Sequence, residues 1–101
     1  MDFSDPSKNV AKLVLTDGMK VADFGCGSGH YSFAAARRVG SRGRVYAIDV
    51  QKDLLDKLKV QASHERLTNI DIVWGNFDEV GGTNLADAIV DAVIISNVLF
   101  L

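Results

Sequence analysis

The chain has 101 residues, 48% of them hydrophobic and 24% charged, with a formal net charge of −2. That is the size and balance of one globular domain, and it excludes a disordered or collagen-like chain. The small acidic excess, with no long run of one sign, argues against an obligate nucleic-acid binder.

Taken in order, residues 1–9 are polar and carry no signal-peptide pattern. Asp5 could cap a short helix and Pro6 open it, with Val10, Leu13 and Val14 on its apolar face. Asp17-Gly18 ends that helix, Gly18 serving as a left-handed cap. A first strand is predicted over 20–24, followed by the turn Gly25-Cys26-Gly27-Ser28-Gly29. The next helix spans 29–39. Phe33, Ala34, Ala36 and Val39 face the sheet, and Arg37 and Arg38 occupy the last turn, where the helix dipole favours cations. Gly40 stops it, and Ser41-Arg42-Gly43 turns the chain.

Residues 44–49 form a second strand that ends in Asp49. A second long helix covers 52–65, with Leu54, Leu55, Leu58 and Ala62 at the helical period and Asp53–Lys57 as a favourable pair on the wet side. Thr68-Asn69 leads into a third strand over 70–74, with Trp74 read as core and Gly75-Asn76-Phe77 at its end. Gly81-Gly82 is a loop, and Thr83 or Asn84 caps a short helix through Ile89. A fourth strand runs over 91–96. Strands alternating with helices predict an α/β fold with a parallel sheet and right-handed crossovers. The first and fourth strands lack clear polar alternation, as expected of strands covered on both faces. The most apolar stretch, residues 92–101, is far shorter than the ~20 residues a bilayer span needs.

The chemistry concentrates in residues 21–49, one βαβ unit. A turn between a strand and a helix points backbone N–H groups at whatever sits there, and glycine side chains do not block the approach. The alternative is a turn that needs glycine for shape alone. The dinucleotide fingerprint is G-x-G-x-x-G. Here the spacing is G-x-G-x-G, and His30 stands where the third glycine would fall. Asp49, at the carboxyl end of the second strand, can accept hydrogen bonds from ribose hydroxyls, or act as an ordinary helix cap. Cys26 reads as a small space-filler rather than a nucleophile, and as the sole cysteine it fits a reducing, cytoplasmic setting. His30 could touch a ligand or simply lie on the helix surface. Tyr31 could reach the same site, and His64 is expected in solvent. Neither histidine has a partner at metal-ligand spacing, so no metal is expected. Arg37, Arg38, Arg42 and Arg44 read as a solvated helix end rather than a phosphate-binding patch.

Residues Val21-Ala22-Asp23-Phe24-Gly25-Cys26-Gly27-Ser28-Gly29, then Val45-Tyr46-Ala47-Ile48-Asp49, resemble the first two motifs of class I S-adenosylmethionine-dependent methyltransferases. Gly75-Asn76-Phe77 resembles the third motif, and the segment from Asp91 through Ser96 and Asn97 to Leu99 the fourth. The resemblance implies a Rossmann-like parallel sheet of about four strands in the order 3-2-1-4 with flanking helices. It is truncated relative to the family's seven-stranded order, 3-2-1-4-5-7-6. Residues 1–101 would then be an incomplete cofactor-binding methyltransferase domain lacking strands 5–7.

The implied cofactor is S-adenosyl-L-methionine. Gly25, Gly27 and Gly29 would lie along its methionine part, and Asp23 would order the loop or hold the amino group. Asp49 would take the ribose hydroxyls, Val50 and Phe77 would sandwich the adenine, and Asn76 would bond its edge. Ser96 and Asn97 would line the floor near the methyl group. The implied reaction is methyl transfer to a small molecule or, less readily, to RNA, with no catalytic residue identified. The motif lacks the Pro-Pro-aromatic run that follows Asn in many methylators of adenine or glutamine amino groups. Two other readings stay open: a non-catalytic S-adenosylmethionine-binding module or partner subunit, and an NAD-type domain, which His30 disfavours. The fourth strand, apolar through Val93, Ile94 and Ile95, is expected to be an exposed edge. Such an edge would pair with a missing C-terminal half or with a second copy.

Overall fold

The computed structural model describes residues 15–75, 90–95 and 98–100. The elements are β1 (Lys20–Phe24), α1 (His30–Val39), β2 (Arg44–Asp49), α2 (Lys52–His64), β3 (Ile70–Trp74), β4 (Ala92–Ile95) and β5 (Val98–Phe100). They build one five-stranded sheet in the order β3-β2-β1-β4-β5. The first four strands are parallel, in the expected 3-2-1-4 order, with Asp23 opposite Ala47 and Ile94, and Asp49 opposite Trp74. The short helix expected before residue 15, the Gly81-Gly82 loop and the helix through Ile89 fall outside the described residues.

The hydrophobic pattern explains the packing. Val21 and Ala22 of β1, and Val45 and Ala47 of β2, are fully buried. Alanines 34, 35 and 36 let α1 lie close on Val21 and Val45, with Val39 and Leu15 in the same cluster. A second cluster joins Phe33 of α1 to Leu55, Leu58 and Ala62 of α2 over Ala47. Asn69 ties α1 to the start of β3: its buried amide donates to the carbonyls of Ala36 and Gly40, each at 2.9 Å. The expected Asp53–Lys57 pair does not form. Among the described residues the ion pairs are Arg37–Glu65, Arg42–Asp17 and Arg44–Asp71.

Two expectations are corrected. β4 is not an edge: β5 reverses direction and pairs antiparallel with it, Ile94 opposite Leu99. Among the described strands β4 has no open side for a partner to join, and the edges are β3 and the three-residue β5. Trp74 is not core. It is 67% exposed, because β3 is an outer strand and position 74 lies at its carboxyl end.

Candidate functional site

The glycine turn sits at the carboxyl end of β1, where β1 hands over to α1. Four of its amides are engaged by the protein itself rather than left open. Gly25 and Cys26 N–H donate to the Ile48 carbonyl at 2.8 and 3.1 Å, and Gly29 N–H to the Cys26 carbonyl at 2.9 Å. Gly27 N–H donates to Asp49 Oδ2 at 3.0 Å. The turn is therefore a rigid shelf stitched to β2.

The three glycines serve different purposes. All have positive φ: 69° at Gly25, 55° at Gly27 and 85° at Gly29. A Cβ at Gly25 or Gly27 would meet nothing within 4 Å, so the space in front of them is open. A Cβ at Gly29 would lie 2.7 Å from Leu58 Cδ1, so this glycine lets the start of α1 pack against α2.

Two carboxylates flank the shelf. Asp49 is 6% exposed, and its oxygens accept from Gly27 N–H and, at 2.9 Å, from Gln51 N–H. It thus joins the turn after β1 to the turn after β2. It is not the helix cap, since Gln51 is the residue at that boundary and α2 has no side-chain cap bond. A carboxylate offers about four lone-pair sites, so two stay available for a ligand. Asp23 is 3% exposed and accepts from Ser32 Oγ at 2.7 Å. Ser32 was not singled out in the sequence. It stands on the buried face of α1, where the run Phe33-Ala34-Ala35-Ala36 draws attention away from a hydroxyl. Among the described residues no cationic side chain pairs with either aspartate.

Burial pushes the Asp23 carboxyl up to about 6 from an ordinary 3.8. The Ser32 hydrogen bond opposes the shift and the Asp49 charge adds to it. The sign of the linkage follows. Between 3.8 and 6 the folded protein holds a proton that the unfolded chain has released, so stability rises as pH falls through this window. Above it the buried charge costs on the order of 3 kcal/mol. Asp23→Asn should therefore raise the melting temperature near neutral pH and flatten its dependence between about pH 4 and 6. A melting curve against pH that keeps the wild-type slope would show that this carboxyl does not titrate there.

Cys26 is buried beneath the turn. Burial, with the charges of Asp23 and Asp49, pushes its thiol up to about 12, so it is a packing residue and not a thiolate nucleophile. Val50, on the turn between β2 and α2, is 59% exposed and stands beside Asp49 at the same sheet edge. His30 and His64 are exposed. Asn76, Phe77, Ser96 and Asn97 lie outside the described residues. No group of three or more His, Cys, Asp or Glu residues that could hold a metal occurs among the described residues. Nor, among them, is any helix long and apolar enough to cross a membrane.

The arginines are used at the opposite edge of the sheet. Arg44 reaches the Thr68 carbonyl at 3.1 Å and Asp71 at 3.5 Å, and Arg38 Nε donates to the Leu15 carbonyl at 2.7 Å. Arg37 and Arg42 are held by Glu65 and Asp17. A groove of about 580 Å³ runs between α2 and β3, away from the glycine turn. Its lining mixes Lys52 and Lys59 with Asp56 and Asp71, without a convergent set of buried polar groups, so the turn and its two aspartates are the stronger site.

The sequence profile of a family described as a methyltransferase domain matches residues 15–101. A probable cobalt-precorrin-6B C(15)-methyltransferase (decarboxylating) of Sulfurisphaera tokodaii is 34% identical over 86 residues, covering 85% of this chain and 44% of that protein. Aklanonic acid methyltransferase DauC of a Streptomyces species is 38% identical over 56 residues, covering 55% of this chain and 26% of that protein. Among solved structures, a SAM-dependent methyltransferase from Aquifex aeolicus superposes with a TM-score of 0.65 at 33% identity, over 71% of this chain and 38% of that one. The chain thus spans less than half the length of each of these relatives. The profile match runs from the residue before the first turn through the last strand, and with it this sheet and this glycine shelf belong to the methyltransferase domain family.

Proposed function

We propose that this chain binds S-adenosyl-L-methionine on the glycine shelf and forms the donor half of an enzyme that methylates a small molecule. One observation carries the reading. Two buried aspartates without a cationic partner among the described residues border a shelf on which Gly25 and Gly27 leave open space. A ligand with a cationic end and a vicinal diol fits both. Asp23 would face the ammonium group of the methionine part, replacing solvation lost on burial with an opposite charge. Asp49 would accept from the ribose hydroxyls with its two remaining lone-pair sites. Gly25 and Gly27 would admit the chain between these ends, with Gly29 closing the turn, and Val50 would border the adenine.

The sulfonium of this cofactor supplies an activated methyl group and leaves as a neutral thioether. The protein's share is to hold the donor still and keep water away, a proximity effect rather than acid–base chemistry. The small-molecule acceptor is supported by the named substrates of the precorrin and aklanonic acid relatives. A buried, unpaired thiol agrees with a reducing compartment such as the cytoplasm.

A second reading is a non-catalytic binding module, since the shelf and its two aspartates can hold a ligand without supplying acid–base chemistry. Calorimetry separates the ligands. S-Adenosylmethionine and S-adenosylhomocysteine are expected to bind, and NAD is not. Tighter binding of NAD would overturn the assignment. Transfer of a labelled methyl group to any acceptor would set the enzyme apart from the module.

A further inference from the structure

Trp74 is a large aromatic left 67% exposed at the end of an outer strand, so burial does not explain its place. Its contacts do. The indole Nε1–H donates to the Val50 carbonyl at 3.0 Å. Its strand neighbour Gly75 donates its N–H to the Asp49 carbonyl at 3.0 Å. Lys52 Nζ lies 5.7 Å from the ring centroid, on the cation-attracting face of the indole. The turn of residues 49–51 is thus held by the end of β3 through two bonds and by its own Asp49 Oδ1–Gln51 bond at 2.9 Å.

We propose that Trp74 is a positioning residue for the nucleoside half of the site, pinning the Val50 carbonyl and so fixing the turn that carries Asp49 and Val50. The inference rests on the cofactor reading above and adds a residue to it. The logic is geometric. Asp49 and Val50 stand on adjacent positions of one turn, and a side chain at the strand's edge can hold that turn only from outside. An indole does this with a rigid ring and a single donor. The ladder bond from Gly75 would persist in a Phe variant, so the contribution of the donor can be isolated.

The chain contains a single tryptophan, so its fluorescence reports on this position alone. Titrating S-adenosylhomocysteine into the wild-type protein should change the emission with the midpoint found by calorimetry. Trp74→Phe, which keeps a ring and loses the donor, should bind S-adenosylhomocysteine and adenosine roughly three- to tenfold more weakly. The equal factor for both ligands is the signature of an effect on the nucleoside half. A silent emission, or unchanged affinity in a folded Trp74→Phe protein, overturns the proposal if the wild type binds S-adenosylhomocysteine. If the wild type does not bind it, the cofactor reading falls first and this inference with it. The wild-type emission stands as a test even if the variant fails to fold.

Discussion

Asp49→Ala should weaken the binding of S-adenosylhomocysteine by roughly 10- to 150-fold. Hydrogen bonds to a charged group contribute ~1.5–3 kcal/mol each, and that range converts to these factors. The position is sensitive for a second reason. The same carboxylate accepts from Gly27 N–H and Gln51 N–H, so its removal also unties the shelf from the turn after β2. Both losses act on the same ligand, one by contact and one by preorganisation. Asp49→Asn keeps one acceptor oxygen, which can serve one amide but not both, and should fall between wild type and Ala. The measurement is calorimetry on variants that still melt cooperatively. Wild-type affinity in a folded Asp49→Ala protein would remove this residue from the site.

Gly29→Ala should be the most damaging single change to stability in the glycine turn. A left-handed φ costs an L-residue roughly 1–2 kcal/mol. The added Cβ would also sit 2.7 Å from Leu58 Cδ1 and 3.0 Å from its Cγ. Leu58 is 1% exposed within a packed cluster, so it has nowhere to swing. Overpacking of that kind costs about 1–3 kcal/mol, for a sum of roughly 2–5 kcal/mol. A domain of this size has only ~5–15 kcal/mol of stability in total. Gly27→Ala meets nothing within 4 Å and should lose only the backbone component, while its methyl group enters the ligand space. Urea unfolding of the two variants, with binding measured in parallel, should give opposite rankings: Gly29→Ala worse in stability, Gly27→Ala worse in affinity relative to its stability loss. Equal losses of stability would show that Leu58 does not constrain the turn.

Most of the parallel sheet was legible because each of its signals is local and repeated. β1, β2 and β3 begin and end where the apolar runs and turn residues place them, and Gly40 stops α1 as expected. A conserved spacing was not needed to see that Asp23 and Asp49 end up at one sheet edge; the crossover rule does that once both strands are assigned. The misses share a cause. β5 is three residues long, and a run of three apolar side chains has no period to distinguish it from a continuation of the strand before it. A place in the third strand suggests core for Trp74, but its hydrogen-bonding indole and the outer position of that strand send it outward. Three of the four engaged amides of the turn depend on the Ile48 carbonyl and the Asp49 side chain, partners more than twenty positions away that a local motif does not display. The Ser32–Asp23 bond was hidden in the same way, since a serine on an alanine-rich helix carries no mark of what it faces.

The neighbours of β1 arrive at very different times. One of them, β2, follows within the same βαβ unit, and the other lies far down the chain: Lys20 N–H donates to Asp91 Oδ2 at 2.8 Å across 71 positions, and Asp91 N–H returns to the Lys20 carbonyl at 2.7 Å. Closing so long a loop must precede any gain from the pairing it permits. A nascent polypeptide leaving the ribosome therefore carries the strand bearing Asp23 with one flank bare until residues 92–95 emerge.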